Sequence, residues 1–301
     1  MKCRKCGDAA VIELRRHNAA FCATDFQEFF RNQVREAIRK HKMFTKDEPV
    51  LVAVSGGKDS LALWDVLIDE GYRTTGLYLD LGIFDYSVQS RAKCEAFSAA
   101  RGVPLIVKRV EEEVGAPVPV IKQVTRRPPC SGCGLSKRYL MNRAALEEGM
   151  PVVATGHNLD DEAATLFGSV MHWQMEALPR QSPALASTHP KLVRRVKPLY
   201  RLSERETAAY AFLRGIDYIV EECPFARGAT SLLHKDVLNR MEEASPGAKH
   251  NFLFGFLEKA RPAFERAEQV TLLECASCGQ VTTGEICAFC KLAAQVRRAS
   301  A

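Results

Sequence analysis

A doubly wound α/β domain, with a parallel sheet covered by helices on both faces and a small metal-stapled module at each end, is the fold class this sequence predicts. Three observations predict it. Short apolar runs alternate with helix-period segments between Val50 and Arg214. The first of those runs breaks into a glycine pair, Gly56-Gly57, directly before a helical pattern. Eight of the 11 cysteines fall in four Cys-x-x-Cys pairs, Cys3/Cys6, Cys130/Cys133, Cys275/Cys278 and Cys287/Cys290.

The elements follow in order. Residues 1–25 hold Cys3, Cys6 and Cys22 around a weak strand at 10–14, and they offer too few apolar positions for a core, so metal must supply the stability. A helix over 25–41 gathers Phe26, Phe29, Phe30, Val34 and Ile38 at helical spacing and carries the chain into the main domain. There the expected elements are strand 50–54, helix 58–70, strand 74–79, helix 87–101 and strand 105–110. A less regular stretch precedes helix 136–148, strand 152–154 and helices 159–172 and 203–214. Residues 177–191, with Pro179, Pro183 and Pro190, read as a loop. A second metal-stapled module spans 273–291, and Arg297 and Arg298 close a short tail. The expected units are therefore 1–25, 26–265 and 266–301, with no internal repeat beyond the cysteine pairs.

Composition sets the class. With 47% hydrophobic and 26% charged residues, the 301-residue chain is ordinary globular protein able to bury a core. No run of about 18 apolar residues appears, and Met1-Lys2-Cys3-Arg4-Lys5-Cys6 lacks the apolar stretch of a secretory signal. A soluble cytoplasmic protein with no membrane contact is the expectation, and a reducing compartment makes the cysteine pairs metal ligands rather than disulfides. The net charge of +6 is modest, but basic residues bunch at Arg31, Arg35, Arg39, Lys40 and Lys42, at Arg126-Arg127, and at Lys191, Arg194, Arg195 and Lys197. Such bunching suits a polyanion such as RNA; the alternative for Arg31 to Lys42 is the solvated face of a helix.

The chemistry concentrates in three places. Val50-Leu51-Val52-Ala53-Val54 runs into Ser55-Gly56-Gly57-Lys58-Asp59-Ser60 and then into an amphipathic helix. Paired glycines allow a tight turn with converging amides, the helix adds its positive end, and Ser55, Lys58 and Ser60 add donors and charge, so the loop is a nest for phosphates. Its glycines adjoin and Asp59 follows Lys58, which separates it from the GxxxxGK[ST] loop. It resembles the N-type ATP pyrophosphatase (PP-loop) family, and the resemblance implies that ATP is cleaved to pyrophosphate and a substrate adenylate. The second place, Gly156-His157-Asn158-Leu159-Asp160-Asp161-Glu162, follows the next strand on the same sheet edge and can face the same nucleotide. Its acids alternatively serve only to cap a helix. The third place joins Cys130-Ser131-Gly132-Cys133 to Cys223-Pro224. Three thiolates without an obvious fourth ligand suit a [4Fe-4S] cluster with one open iron. A redox pair, or a zinc site completed by Cys94 or a histidine, is the alternative.

Three runs carry a more specific resemblance: Cys130-Ser131-Gly132-Cys133-Gly134-Leu135-Ser136-Lys137-Arg138-Tyr139, Ala154-Thr155-Gly156-His157-Asn158-Leu159-Asp160-Asp161-Glu162-Ala163, and Glu221-Glu222-Cys223-Pro224. Together they resemble the TtuA-type tRNA 2-thiouridine synthetases, relatives of the cytoplasmic tRNA 2-thiolation proteins, over essentially the whole chain. The resemblance implies adenylation of the C2 oxygen of a T-loop uridine or ribothymidine, then its replacement by sulfur. Ser55, Gly57, Lys58, Asp59 and Ser60 would hold pyrophosphate with Mg²⁺, while Ala53, Val54, Leu79 and the Gly156 turn would face the adenosine. Cys130, Cys133 and Cys223 would hold the cluster, and Lys137 and Asp161 match positions linked to catalysis. A ubiquitin-like sulfur carrier ending in a thiocarboxylate, a tRNA substrate and a homodimer are also implied. Cys275, Cys278, Cys287 and Cys290 have zinc-ribbon spacing. In the N-terminal module Cys3, Cys6 and Cys22 need a fourth ligand; the family's histidine is replaced here by Asp25, and His17 is the other candidate. Wobble-uridine thiolation, an ATP-dependent amide-forming synthetase without an iron-sulfur site, and a non-catalytic RNA-binding zinc protein are the rival functions.

Overall fold

The computed structural model describes residues 1–125, 129–226, 228–264 and 271–300. At the N-terminus β1 (Ile12–Leu14) pairs antiparallel with β2 (Ala19–Phe21), Ile12 opposite Phe21. The predicted strand is thus shorter than 10–14, and its partner was not foreseen. Cys22 caps α1 (Ala23–Lys40), its sulfur accepting from the Asp25 amide at 3.5 Å, and the helix buries Phe26, Phe30, Val34 and Ile38 as their spacing predicts.

The main domain then runs β3 (Val50–Val54), α2 (Lys58–Asp69), β4 (Thr74–Asp80), α3 (Phe84–Arg101) and β5 (Leu105–Arg109). The stretch expected to be irregular contains two short helices, α4 (Val110–Val114) and α5 (Val118–Thr125). α6 (Pro129–Glu147) starts seven residues before the expected 136, so Cys130 and Cys133 lie on its first turns rather than in a preceding loop. β6 (Val152–Thr155) and α7 (Leu159–Met171) follow.

The segment expected as a plain loop holds a 3₁₀ turn, Leu178–Arg180, and a two-residue strand, β7 (Ala184–Leu185). β8 (Arg194–Val196) and α8 (Glu204–Leu213) come next. Then come α9 (Thr230–Ala244), α10 (Ala248–Gly255), α11 (Arg261–Phe264), β9 (Leu273–Glu274), β10 (Val281–Thr282) and α12 (Ala288–Ser300). The expected short basic tail is in fact α12, an amphipathic helix; the expected unit boundary at 265/266 lies outside the described residues.

The sheet order is β5-β4-β3-β6-β8-β7, parallel throughout except for β7, which runs antiparallel to β8 at the edge. The chain leaves β3 toward β4 and β5 on one side and returns to β6 and β8 on the other. β3 and β6 therefore flank the crevice where order reverses, the place where doubly wound sheets bind ligands. Side chains alternate between faces: Val50, Val52, Val54, Val152 and Ala154 join a core with Phe26, Trp64 and Tyr210, whereas Leu51 and Val153 join another with Leu140, Ala145 and Val296. Both terminal modules share these cores, Cys3, Ile12 and Phe21 in the first, Cys275, Cys287 and Phe289 in the second.

Two contacts seat the C-terminal module on α6. Tyr139 stacks on Phe289 with centroids 3.7 Å apart. Asn142 donates to Gln280 Oε1 at 2.8 Å and to the Lys191 carbonyl at 2.9 Å, and accepts from the Val193 amide at 3.0 Å.

Candidate active site

The Ser55–Ser60 loop leaves β3 and turns at Gly56, whose φ of +76° only glycine adopts without cost. A Cβ there would also sit 2.5 Å from the Ser90 carbonyl oxygen. Ser60, buried at the start of α2, closes the loop from inside: its hydroxyl accepts from the Ser55 amide at 3.1 Å and donates to the Gly57 carbonyl at 3.0 Å. The second turn presses directly on the first. A Cβ on Gly156 would lie 2.8 Å from Ser60 N and 2.9 Å from the Asp59 backbone, so glycine is what lets the two strand ends meet.

Both turns open on one cavity of about 430 Å³ at the carboxyl ends of β3, β4 and β6. Of the expected nucleotide-site residues, Ala53, Val54, Ser55, Asp59, Ser60, Leu79, Gly156 and Asp161 line it; Gly57 and Lys58 do not. Lys58 turns instead to Glu204 at 2.8 Å and Asp59 at 3.2 Å. Lys235 pairs with Asp161 at 2.6 Å and Glu204 at 3.1 Å, which extends a chain of two lysines and three carboxylates whose ends, Asp59 and Asp161, line the cavity. Burial opposes ionisation of Glu204, yet Lys58 and Lys235 outweigh it and hold the carboxyl at about 2. Burial pushes Asp59 up, Lys58 counteracts, and Asp161 and Glu204 add to the rise. Asp161 also caps its helix, with Oδ2 accepting from the Asn158 amide at 3.1 Å, so capping and cavity lining coexist in one carboxylate.

The cysteines reach the same space from two directions. Cys133, Lys137 and Met141 recur every fourth residue along α6 and form one stripe on the cavity wall. Cys223 also lines the cavity, its segment anchored on the glycine turn by the Ile219 amide, which donates to the Gly56 carbonyl at 2.8 Å. Cys130 is exposed and outside the cavity lining; its sulfur lies 3.7 Å from the carbonyl of Phe225, two residues past Cys223. Burial pushes the Cys133 thiol up, Lys137 eases this, and Cys223 and Cys130 act on it as charged neighbours.

Among the described residues, two sets of ligand atoms gather within 4.8 Å of one another, and Cys130, Cys133 and Cys223 form neither. A single zinc, with Zn–S bonds of about 2.3 Å, draws its sulfurs to roughly 3.8 Å apart. Cys133 and Cys223 on the cavity wall with Cys130 exposed beside them, three thiols more widely spread than one zinc would draw them, fit a multi-iron cluster instead. Cys94 is not available to complete a zinc site: it is fully buried in the core, where burial raises its thiol to about 12.

Residues 24–225 match the PP-loop domain family, and residues 2–27 match the N-terminal LIM domain of the 2-thiouridine synthetase TtuA. The chain is 52% identical to the tRNA-5-methyluridine(54) 2-sulfurtransferase of Thermus thermophilus, over 97% of this chain and 91% of that one. It is 44% identical to the protein of the same name from Pyrococcus horikoshii, over 97% and 93%. The chain belongs to the PP-loop tRNA 2-thiouridine synthetases. Its fold is also that of the U34-tRNA thiolase NcsA of Methanococcus maripaludis, solved with its [4Fe-4S] cluster, at a TM-score of 0.83 and 25% identity over 97% of this chain and 95% of that one.

The two close-packed ligand sets are the terminal modules of this thiouridine synthetase. Cys3, Cys6, Cys22 and Asp25 form the first, with Asp25 Oδ2 accepting from Cys3 at 3.0 Å and from Cys22 at 3.4 Å. Asp25, not His17, occupies the fourth position: His17 packs edge-on against Phe29, and burial lowers its pKa to about 4. Cys275, Cys278, Cys287 and Cys290 form the second. Burial opposes ionisation of Cys275, but the amides of Cys287, Ser277 and Cys278 outweigh it and bring the thiol to about 6. A sulfur already met by amide donors is suited to a divalent metal.

Sequence reasoning missed Tyr86, His157 and Met141 on the cavity wall and Glu204 and Lys235 in the ion-pair chain beside it. His157 was visible in the quoted Gly156 run, where Thr155 Oγ1 holds its Nδ1 at 2.7 Å. Lys235 carries no local signal, since only the packing of α9 on α7 brings it near. The basic run on α1 proves largely neutralised: Arg35 pairs with Glu70 at 2.7 Å, Arg39 with Glu36 at 2.8 Å and Lys40 with Glu258 at 2.7 Å. Arg126-Arg127 lie outside the described residues. No helix among the described residues is long and apolar enough to cross a membrane.

Proposed function

We propose that this chain thiolates C2 of a T-loop uridine or ribothymidine, position 54 of tRNA, using ATP. The observation that carries this reading is that the glycine-turn loop, Lys137, Cys133 and Cys223 all face one cavity. The uracil C2 carbonyl is amide-like and a poor electrophile, so its oxygen must first become a leaving group. Attack of that oxygen on the α phosphate forms the O2-adenylate and releases pyrophosphate. Attack of hydrosulfide at C2 then expels AMP, and loss of a proton leaves the C2=S bond.

In this reading the Ser55–Ser60 loop binds the pyrophosphate portion, and Lys58 and Lys235 supply positive charge where negative charge accumulates. Asp59, pushed up by burial, is a carboxylate that a divalent cation would stabilise as the anion, so it would hold Mg²⁺, which when bound would neutralise charge on the departing pyrophosphate. Ala53, Val54, Leu79 and the Gly156 turn would contact the adenosine. Asp161 would orient the base, and Lys137 would steady anionic sulfur or phosphate. Cys130, Cys133 and Cys223 would hold a [4Fe-4S] cluster, which when bound supplies an open iron corner able to hold a sulfide. A ubiquitin-like carrier with a C-terminal thiocarboxylate is the proposed sulfur donor, a homodimer the proposed assembly and the cytoplasm the proposed compartment. Residues 1–25, 26–265 and 266–301 are the proposed units.

Relatives whose names specify position 54 share 43–52% identity with this chain, against 28–29% for cytoplasmic tRNA 2-thiolation proteins, which supports the T loop over the wobble position. The deciding experiment incubates anaerobically purified protein with tRNA, ATP, Mg²⁺ and sulfide, then analyses nucleosides by mass spectrometry. A 2-thiolated base at position 54 that needs ATP is expected; product at the wobble position, or none, overturns the reading.

The terminal cysteine sets are proposed as structural zinc sites. Because Cys275 and Cys287 are buried within a main core, Cys287→Ser should release one equivalent of zinc and lower Tm by roughly 10 °C or more, a chain this size shifting about 2–4 °C per kcal/mol. Calorimetry with metal analysis checks this, and an unchanged Tm in a zinc-free variant would argue that the metal is dispensable.

A further inference from the structure

Many of this molecule's basic residues are neutralised by pairing. Besides those on α1, Lys191 pairs with Glu274 at 2.7 Å, Arg194 with Glu48, and Lys197 with Glu162 at 2.6 Å. Arg138, Arg180 and Arg195 differ: among the described residues no carboxylate lies within ion-pair distance of any of them.

They are also close together. Arg195 on β8 is in register with Val153 of β6, which packs in the same core as Leu140 and Ala144, so Arg195 projects on the α6 side of the sheet. Arg138 on α6 folds its guanidinium back over Gly134, where a Cβ would sit 3.2 Å from its Nη1, beside Cys133. Arg180 ends the 3₁₀ turn before Gln181, whose amide donates to Glu162 Oε2 at 3.2 Å, and Glu162 in turn holds Lys197, two residues past Arg195. Arg195 is half-buried, and after burial itself the positive charges of Arg138 and Arg180 depress its pKa. Three like charges converging without an acid lose stability until an anion binds them.

We propose that Arg138, Arg180 and Arg195 form a ledge for RNA backbone phosphates beside α6, the helix whose Cys133 and Lys137 line the active-site cavity, positioning the strand so that the target base enters beside those two residues. This rests on the tRNA reading above. In the reading above the ATP phosphates have their own site on the Ser55–Ser60 loop, apart from these arginines, none of which lines the cavity. Arginines on three separate elements suit successive phosphates of a chain better than one free phosphate.

The test measures tRNA affinity across a salt series for the wild-type protein, R138Q/R180Q, R195Q and the control R31Q/R39Q, with ATP binding followed in each. Binding roughly tenfold weaker is expected for R138Q/R180Q, with the slope of log K against log salt shallower by about 1 per arginine removed, while ATP binding is retained. R31Q/R39Q should match wild type. R138Q/R180Q alters only exposed side chains, so it decides the matter even if R195Q folds poorly. Wild-type affinity and slope in R138Q/R180Q, or an equal loss in R31Q/R39Q, overturns the ledge. Affinity does not depend on sulfur transfer: a wild-type protein that binds tRNA through these arginines yet makes no thiolated base sinks the catalytic reading alone.

Discussion

Cys223→Ser and Cys133→Ser should each reduce tRNA thiolation by at least about 10³-fold, the scale of loss when one member of a cooperating catalytic unit is removed. The reason is placement rather than packing. Both cysteines line the cavity, neither is fully buried, and serine is nearly isosteric, so the fold should survive. What serine lacks is a soft thiolate able to ligate iron. If these cysteines hold the proposed cluster, the wild-type protein should purify anaerobically brown and iron-loaded, and the variants should lose both colour and iron while keeping ATP binding. Cys94→Ser is the matched contrast. Its thiol is fully buried in the core beneath the glycine turn, where it meets the Gly56 backbone, and is not among the residues lining the cavity, so this variant should be less stable but keep its iron. An iron-loaded, active Cys223→Ser protein would refute the three-thiol site.

Much of this arrangement is legible in the sequence because it is local. A β-branched run ending at Ser55-Gly56-Gly57 and leading into a helix specifies a strand, a tight turn and a phosphate nest within about a dozen residues. The alternation along β3, α2, β4 and α3 likewise emerges from period alone. What stayed hidden depends on tertiary partners. Arg194-Arg195-Val196 shows no apolar periodicity and becomes a strand only because β6 and β7 offer it hydrogen bonds. Cys130-Ser131-Gly132-Cys133-Gly134 contains poor helix formers, so the expected helix began after it; a proline at the first position and packing against α5 extend it. The choice between Asp25 and His17 turned on which one met Phe29, a contact no spacing rule reports. The charge on α1 could not be interpreted until Glu70 and Glu258, distant in sequence, were seen beside it.

The three glycines of the two turns should fail in three different ways when each becomes alanine. Gly56→Ala combines a left-handed φ of +76° with a Cβ 2.5 Å from the Ser90 carbonyl oxygen. The conformational cost of roughly 1–2 kcal/mol and a similar overpacking cost of about 1–3 kcal/mol add, making this the most destabilising of the three. It should also weaken the site twice over, because the Gly56 carbonyl accepts from Ile219 and so sets where Cys223 stands. Gly156→Ala has no φ problem, but its Cβ would meet the Ser60 amide at 2.8 Å, and neither backbone can retreat without opening the crevice. Displacing the loop by about 1 Å would cost on the order of 10² in turnover with a smaller loss of stability. At Gly57 the nearest atom to a Cβ is Ser55 Oγ at 3.6 Å, and the residue already has an ordinary φ of −83° as the cap of α2. Gly57→Ala should leave Tm nearly unchanged and raise the KM for ATP, since in the proposed reading the backbone of this loop is what meets the pyrophosphate portion and the methyl stiffens and crowds it. Thermal melts alongside steady-state kinetics separate the three. A Gly57→Ala protein as unstable as Gly56→Ala, or a Gly156→Ala protein with wild-type turnover, would show that the two turns do not meet as described.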